Sequence, residues 1–339
     1  MLPWLVLLST ACGGAGVAAD RLPFRGPSAA RGAVLIGSNH VELLTDGALA
    51  AERLRAELGR ASATIEAEIY EFNRADLASA MVAALGRGVK VTLIEDPTVS
   101  VNAVTAARLR RAGADVRIFP DQRRQIDHVK LLIVDGASAV FGGMNWGSGS
   151  WRNHDFDVAL QGPLVSHLQA IFAADLVRSG GHAVIATPPP DPDAFRLLAT
   201  YPEAQVGPVV LATIAAARQA VFIEMYVMTD SSSISALCDA AGRGVRVFVL
   251  FDANQDLNQL AAAKLGQAGV HTRFYRTSGE KLHAKAMEVD GRRLVVGSAN
   301  WSSSGFLHNH ELDAVIDSPT LASQALERME ADWVASEPI

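Results

Sequence analysis

Cysteine is nearly absent from this sequence of 339 residues. The two cysteines, Cys12 and Cys238, show none of the paired spacings that bind zinc or iron–sulfur clusters. Cys12 lies in an N-terminal segment that we expect to be removed, so the mature chain would keep no disulfide. We interpret Cys238 as a small buried apolar side chain. The sequence therefore predicts neither a disulfide scaffold nor a cysteine-ligated metal centre.

An excess of positive charge is also missing. The chain has 30 Lys and Arg against 36 Asp and Glu, a net charge of −6, and no run of basic residues. Proteins that hold nucleic acid by general attraction to its phosphates need the opposite balance. The composition therefore argues against a nucleic-acid partner, although an acidic body can still carry a basic groove.

No apolar run approaches the roughly 20 residues that span a bilayer. The N-terminal run Leu2–Leu8 is short, and small residues follow it to Ala19, which is typical of a secretion signal cut before Asp20. Cys12 in this segment resembles a degraded lipoprotein site. We therefore predict a signal segment over residues 1–19 and an exported protein, periplasmic or secreted, with lipid anchoring as the alternative.

The strongest feature present is an internal repeat. Glu68 and Tyr70 recur as Glu224 and Tyr226, and residues 86–91 recur at 242–247, with an offset of 156. A constant offset over such a length indicates two copies of one structural unit.

Each copy alternates strand and helix patterns. In the first copy, β-compatible apolar segments at 63–72, 89–94 and 116–119 alternate with helical spacing at 76–85 and 103–112. Near-continuous apolar strands are expected in a sheet that helices cover on both faces. We predict an α/β fold with two homologous lobes, each a mixed, mostly parallel sheet flanked by helices.

The natural boundary between the copies is the proline-rich stretch at residues 187–192, which breaks every periodic pattern. The predicted domains after the signal segment are a first lobe over 20–186, a linker over 187–194 and a second lobe over 195–339.

One polar element stands in both copies, with the pattern His-x-Lys-x4-Asp-x6-Gly-x-x-Asn. Its residues are His128, Lys130, Asp135, Gly142 and Asn145 in the first copy, and His283, Lys285, Asp290, Gly297 and Asn300 in the second. Alternation along a strand places the His and Lys on one face, and a turn at the Asp-Gly pair returns the chain so that the Asn lies beside them. Each hairpin is therefore predicted to gather an imidazole, an ammonium and an amide.

These three groups suit attack on phosphorus. An imidazole can act as nucleophile or general acid near neutral pH, and lysine and asparagine can bind the non-bridging oxygens. Downstream, Asp155 and Glu311 each follow an Asn-His pair, and we expect each to accept a hydrogen bond from Nδ1 of a catalytic imidazole. No cluster of carboxylates, histidines or cysteines in the sequence indicates a metal site, and no cofactor is expected.

Other residues of the repeat have simpler interpretations. Asp135 and Asp290 precede glycine at a turn, and we favour a structural role over a chemical one. Trp146 is interpreted as packing beneath the site, and its counterpart Trp301 likewise. For Glu68 and Glu224, on apolar strands, a position in the cleft and a satisfied structural role stay open.

At this point the sequence resembles the phospholipase D superfamily, whose signature is the duplicated His-x-Lys-x4-Asp motif. The resemblance covers nearly the whole predicted mature chain. It implies two lobes around a pseudo-two-fold axis, one active site between them and a covalent phosphohistidine intermediate. It also implies that His128 is the nucleophile and His283 the acid, an order that the symmetric sequence alone does not decide.

The two copies differ at Gly143 and Ser298, an asymmetry similar to that of bacterial cardiolipin synthases. Both positions are predicted to bind substrate, with a hydroxyl contact to phosphate from Ser298 only. We therefore expect a monomeric enzyme acting on phospholipid at a membrane surface, by hydrolysis or phosphatidyl transfer. The alternatives are a cardiolipin synthase proper, a metal-independent nuclease and a non-catalytic binding module.

Overall fold

A computed structural model describes residues 32–120, 125–188, 190, 193–277 and 279–338. The predicted signal segment, with Cys12, and part of the predicted linker lie outside these residues. Cys238 lies on a helix and is partly buried.

The first copy of the repeat forms an eight-stranded sheet with four helices. Its elements are β1 (Val34–Ile36), β2 (Asn39–Leu44), α1 (Gly47–Arg60), β3 (Thr64–Ile69), α2 (Ala75–Gly86), β4 (Lys90–Glu95), α3 (Asn102–Ala112), β5 (Asp115–Ile118), β6 (Lys130–Val134), β7 (Ser138–Gly142), a 3₁₀ turn (Ser150–Arg152), β8 (Asp157–Gln161) and α4 (Val165–Arg178). The strand order is β1-β2-β8-β7-β6-β3-β4-β5.

The second copy repeats this plan. Its elements are β9 (Phe195–Ala199), α5 (Val206–Ala216), β10 (Ala220–Met225), α6 (Ser231–Gly242), β11 (Arg246–Asp252), α7 (Asn258–Gln267), β12 (His271–Tyr275), β13 (Lys285–Val289), β14 (Arg293–Gly297), α8 (Ser303–Leu307), β15 (Leu312–Asp317), α9 (Pro319–Val334) and β16 (Glu337–Pro338). The strand order β16-β12-β11-β10-β13-β14-β15-β9 matches the first sheet strand for strand, apart from the added edge strands β1 and β16.

The predicted α/β lobes with mixed sheets are confirmed, but the expectation that parallel pairing would dominate is wrong. Among the strands of the described residues, only β3-β4-β5 and β10-β11-β12 pair in parallel, and the other neighbours are antiparallel. The reason is local: three-residue turns join β6 to β7 and β13 to β14, and so short a connection can only join antiparallel strands.

The lobes pack against each other through shared apolar side chains. One core cluster contains residues of both copies, including Leu131 and Leu168 from the first and Leu294 and Leu326 from the second. Two further clusters lie within single lobes, beneath α1–α3 and beneath α5–α7. The apolar side chains buried between the lobes fix the position of one motif-bearing hairpin relative to the other. Within the described residues, no helix is both long and apolar enough to cross a bilayer.

Candidate active site

The two motif hairpins meet at one cleft between the lobes. The cleft has a volume of about 890 Å³, and its walls include His128, Asn145, His283 and Asn300. The strands β6 and β13 begin at the motif lysines, so each histidine precedes its strand instead of opening it. The structure therefore brings the six predicted His, Lys and Asn side chains of both copies to one place.

Each motif histidine pairs with an acid of the other lobe. Nδ1 of His128 donates to Oε2 of Glu311 at 2.8 Å, and Nδ1 of His283 donates to Oδ1 of Asp155 at 2.9 Å. The sequence predicted the acids but not that the pairs would cross. A reciprocal exchange of this kind is what a two-fold relation between the lobes requires.

The backbone repeats the exchange. The amide of His128 donates to the carbonyl of His310 at 2.8 Å, and the amide of His283 donates to the carbonyl of His154 at 2.8 Å. In return, the amides of His310 and His154 donate to carbonyls just before the motif histidines. Both imidazoles are therefore held by side-chain and main-chain bonds to the opposite lobe.

The lysines lie directly beneath the imidazoles. Nζ of Lys130 donates to the carbonyl of His128, and Nζ of Lys285 donates to that of His283. Each ammonium also lies 5.3 Å from a tyrosine ring centroid, over Tyr70 and Tyr226 respectively. The cations are thus fixed close to the ring atoms that line the cleft.

Tyr70 and Tyr226 are site residues to which the sequence reasoning assigned no role. Their rings pack against His128 at 4.9 Å and against His283 at 4.7 Å between centroids. Both tyrosines line the cleft. Their recurrence at the end of matching strands was the signal that could have identified them.

Burial lowers the pKa of both motif histidines and both motif lysines. It lowers the pKa of His128, and it lowers the pKa of His283 to about 4, despite the nearby carboxylates. It also lowers the pKa of Lys130 to about 7 and that of Lys285 to about 8. The imidazoles of the free site are therefore neutral at neutral pH, which is the form that a nucleophile needs.

The orienting acid Glu311 is held as a carboxylate. Burial by itself raises its pKa, but His128, Lys130 and the hydroxyl of Ser298 together lower it below the ordinary value. Ser298 donates to Oε2 of Glu311 at 2.6 Å, and Asn309 donates to Oε1 at 3.0 Å. This carboxylate can therefore keep the imidazole of His128 in one tautomer.

The structure places the hydroxyl of Ser298, which we predicted to contact phosphate, against an orienting acid. The Ser298 side chain is fully buried, and its hydroxyl bonds to Glu311 and accepts from the amide of Leu312. At the matching position, Gly143 lies against Asp155. In this structure both residues shape the orienting acids behind the imidazoles, and neither lines the cleft.

The remaining predicted residues lie beside or away from the cleft. The carboxylates of Asp135 and Asp290 accept from the loops before β3 and β10. The rings of Trp146 and Trp301 are buried. Within the described residues, Oδ1 of Asn145 and Oδ1 of Asn300 are buried without a hydrogen-bond partner, which leaves both amides available to a ligand in the cleft.

Glu68 and Glu224 are fully buried behind the site, in two related polar clusters. Glu68 lies with Asp127 and His310, whose possible metal-ligating atoms are all within 4.8 Å of one another. Burial raises the pKa of Glu68 well above its ordinary value, and Asp175 and Asp127 add to this. A protonated, neutral Glu68 does not need a metal ion to balance its charge in this cluster. Glu68 is not among the residues that line the cleft.

Comparisons with known proteins agree with this geometry. Residues 54–176 and 210–333 match the family described as "Cardiolipin synthase, PLD-like domain". Cardiolipin synthase A of Erwinia tasmaniensis is 26% identical over 345 residues, which cover 88% of this chain and 70% of that protein. Cardiolipin synthase A of Yersinia pseudotuberculosis serotype O:1b is 26% identical over 348 residues, with the same coverage.

Two solved structures share the fold over most of the chain. A phosphatidylserine synthase from Haemophilus influenzae Rd KW20 aligns with a TM-score of 0.68 and 11% identity, covering 91% of this chain and 89% of that one. A polyphosphate kinase from Porphyromonas gingivalis aligns with a TM-score of 0.63 and 14% identity, covering 87% and 47%. At these identities the likeness concerns the fold alone, and the two titles name different reactions.

Proposed function

The chain belongs to the phospholipase D superfamily, within the family described as "Cardiolipin synthase, PLD-like domain", and from this premise we propose that it is a phosphodiesterase or phosphatidyltransferase of glycerophospholipids. The observation that carries the proposal is the reciprocal pairing of His128 with Glu311 and of His283 with Asp155 around one cleft. Fixing Nδ1 of each ring on a carboxylate leaves Nε2 as the nitrogen available for chemistry.

The proposed reaction proceeds through a phosphohistidine. Nε2 of His128 attacks phosphorus, the bond from phosphorus to the leaving alcohol breaks, and His283 gives a proton to that alcohol. Water or a second alcohol then gives its proton to His283 and attacks phosphorus, which releases His128. Lys130 and Lys285 would stabilise the non-bridging oxygens, and the bound phosphate anion would in turn favour the protonated His283.

Transfer and hydrolysis share this intermediate, so the acceptor decides between them. The cleft is much larger than a phosphate group, and polar side chains line it, including Glu71, Asn254 and Thr277. Such a lining suits a hydroxylated head group, and it supports transfer to a polyol as the finer proposal. The relatives named cardiolipin synthase A point the same way.

The first experiment incubates the purified chain with phosphatidylglycerol, phosphatidylcholine or single-stranded DNA, and identifies the products by mass spectrometry. Cardiolipin would demonstrate transfer, phosphatidic acid hydrolysis, and shortened DNA a nuclease. If the wild-type chain forms no lipid product but cleaves the DNA, the proposal is overturned in favour of a nuclease.

The second experiment separates the roles of the two histidines with a phosphodiester whose leaving group is p-nitrophenolate. This leaving group needs no proton, so His283→Ala is expected to retain phosphoenzyme formation, whereas His128→Ala loses it. The exposed His40, changed to alanine, is the matched control. Phosphoenzyme formed by His128→Ala and not by His283→Ala would reverse the assignment, and full turnover by both variants would exclude the mechanism.

A further inference from the structure

Large apolar side chains are exposed at corresponding positions of the two copies. Three positions in each copy, offset by 156 residues, carry apolar side chains that are between 42% and 85% exposed. The pairs are Val101 with Leu257, Val104 with Leu260, and Trp151 with Leu307. Single exposed apolar residues are common and need no explanation. Here, however, both members of three repeat-related pairs are exposed, which indicates that the two copies contribute to one apolar surface.

The first two pairs lie where α3 and α7 begin, against the walls of the cleft. Asn102 of α3 donates to the carbonyl of Tyr70 at 2.9 Å, and Asn258 of α7 donates to the carbonyl of Tyr226 at 2.9 Å. Both tyrosines line the cleft. Residues three apart share one helical face, so each helix start presents two apolar side chains together beside the cleft.

The third pair lies in the segments that follow the motif asparagines. Trp151 stands in the 3₁₀ turn between Ser150 and Arg152, which both line the cleft. The end of this turn is tied to the start of α1, because the amide of Gly47 donates to the carbonyl of Asn153 at 3.0 Å. Its counterpart Leu307 ends α8, which begins three residues after Asn300.

We propose that these six side chains form a docking face that seats the mouth of the cleft on the interface of a phospholipid bilayer. Each lobe contributes three of the six, from segments that contact or adjoin residues lining the cleft. Tryptophan favours the level of the lipid head groups, where its ring is apolar and its N–H stays wet. The inference rests on the proposed function, since a lipid substrate must reach the cleft from such a surface.

Charge makes a smaller contribution to this docking. Arg152 and Lys281 line the cleft and can meet lipid phosphates, but Glu71 and Glu280 line the same cleft. The opposing signs predict that binding depends mainly on apolar contact and weakly on salt. This separates the face from a basic patch that would bind any polyanion.

The test measures binding of the full chain to phosphatidylglycerol–phosphatidylcholine vesicles by flotation. The variant Val104→Ser/Leu260→Ser/Leu307→Ser is expected to bind about 10-fold or more weakly, because three apolar side chains no longer enter the interface. Leu35→Ser/Val334→Ser, at exposed apolar positions on β1 and at the end of α9, is the matched control and should bind as wild type.

A fluorescence readout locates the contact. Of the four tryptophans in the described residues, Trp146, Trp301 and Trp333 are buried and Trp151 is exposed. In a chain whose fifth tryptophan, Trp4, is replaced by phenylalanine, a blue shift on adding vesicles should vanish in Trp151→Phe. An equal loss of binding in the control variant, or unchanged binding in the triple variant, would overturn the proposal. A concentration-dependent dimer that the triple variant abolishes would instead assign the face to a second copy of the chain.

Turnover of a water-soluble short-chain phosphodiester distinguishes this inference from the proposed function. The triple variant should keep the wild-type rate on the soluble diester and lose rate only on vesicles. No turnover of the soluble diester by the wild type would count against the proposed function. Wild-type rates on both substrates in the triple variant would count against the docking face alone.

Discussion

At the scale of single residues, the active site consists of two half-sites, each a motif histidine with the acid that accepts from its Nδ1. The two half-sites hold their acids in place with different side chains. In the half-site of His128, the longer Glu311 is held by the hydroxyl of Ser298. In the half-site of His283, the shorter Asp155 occupies the space that a side chain at Gly143 would need. A Cβ placed on Gly143 would lie 2.6 Å from Oδ1 of Asp155. The difference between Gly143 and Ser298 thus follows from the difference between the two acids.

This coupling predicts that Gly143→Ser displaces Asp155 and releases the imidazole of His283. A displacement of about 1 Å in an orienting group can lower the rate by roughly 100-fold, and we expect a loss of that order in steady-state turnover. Gly143 has no left-handed backbone angle, so the cause would be steric only. The control Ser298→Gly should cost less, because it removes two hydrogen bonds of the hydroxyl without a clash.

Adding Asp155→Glu to Gly143→Ser rebuilds the Ser–Glu pair of the other half-site. We expect the double variant to recover part of the lost rate, although Asp155→Glu alone should lower it. The two effects would then be strongly non-additive, as for residues in direct contact. A full rate in Gly143→Ser, or a double variant whose loss is the product of the single losses, would refute the coupling.

At the scale of the elements, the turn between β6 and β7 is tied to the start of β3. Asp135 adopts a left-handed backbone angle of 53°, and its carboxylate accepts from the amides of Ser62, Ala63 and Thr64. Asp290 has a matching left-handed φ angle of 57°, and its carboxylate accepts from the amides of residues 218–220. The aspartate of the motif therefore fixes its hairpin from the end remote from the histidine.

We predict that Asp135→Ala lowers the free energy of unfolding by about 2–3 kcal/mol, because it removes these bonds and places alanine in a left-handed conformation. Asp135→Asn, which tolerates that conformation and keeps an acceptor, should cost less. Burial opposes ionisation, but the backbone bonds prevail and lower the pKa of Asp135 from 3.8 to about 2. The contribution of the carboxylate is therefore present above pH 3.8 and lost as the pH falls towards 2.

Denaturant unfolding at neutral and acidic pH measures this difference. The gap between wild type and Asp135→Ala should narrow between about pH 4 and pH 2. Turnover per folded molecule should change little. A large loss of turnover without loss of stability would instead indicate a chemical role for Asp135.

Local patterns predicted the elements from β3 to β5 well. The spacing at 76–85 corresponds to α2 (Ala75–Gly86), and that at 103–112 to α3 (Asn102–Ala112). Such signals depend on neighbours in sequence. The pairing of β2 with β8, and of β9 with β15, joins distant segments and left no local trace. For the same reason the sequence identified both orienting acids but could not show that each serves the histidine of the other lobe.

At the scale of the whole molecule, the lobe interface contains a buried polar cluster behind His128. Glu68, Asp127 and Asp175 of the first lobe surround His310 of the second, and Nε2 of His310 donates to Asp175 at 2.8 Å. The repeat gives a natural comparison, because Leu282 stands where Asp127 stands in the other copy. Each has its amide bonded to an aspartate at the end of the neighbouring strand, Asp96 or Asp252.

The backbone hydrogen bond at this position therefore forms equally well with an apolar residue, leucine, in the second copy. In the first copy, Asp127 adds a fully buried carboxyl group. Burial raises its pKa from 3.8 to about 7; His310 opposes the shift and Asp175 adds to it. Because the folded pKa exceeds the unfolded one, the protonated group favours the folded state at low pH. That contribution is present in full below pH 3.8 and is lost as the pH rises through 7.

The variant Asp127→Leu should therefore become more stable relative to wild type as the pH rises. We expect the difference in free energy of unfolding, variant minus wild type, to increase between pH 5 and pH 8 by an amount on the order of 1–3 kcal/mol. Thermal unfolding of both proteins at the two pH values measures it. Leu282→Ala is the control, since it removes only apolar contacts from the matching position and its cost should not depend on pH. A pH-independent difference for Asp127→Leu, or one that decreases with rising pH, would show that Asp127 is ionised at pH 5 and that the cluster has another source of balancing charge.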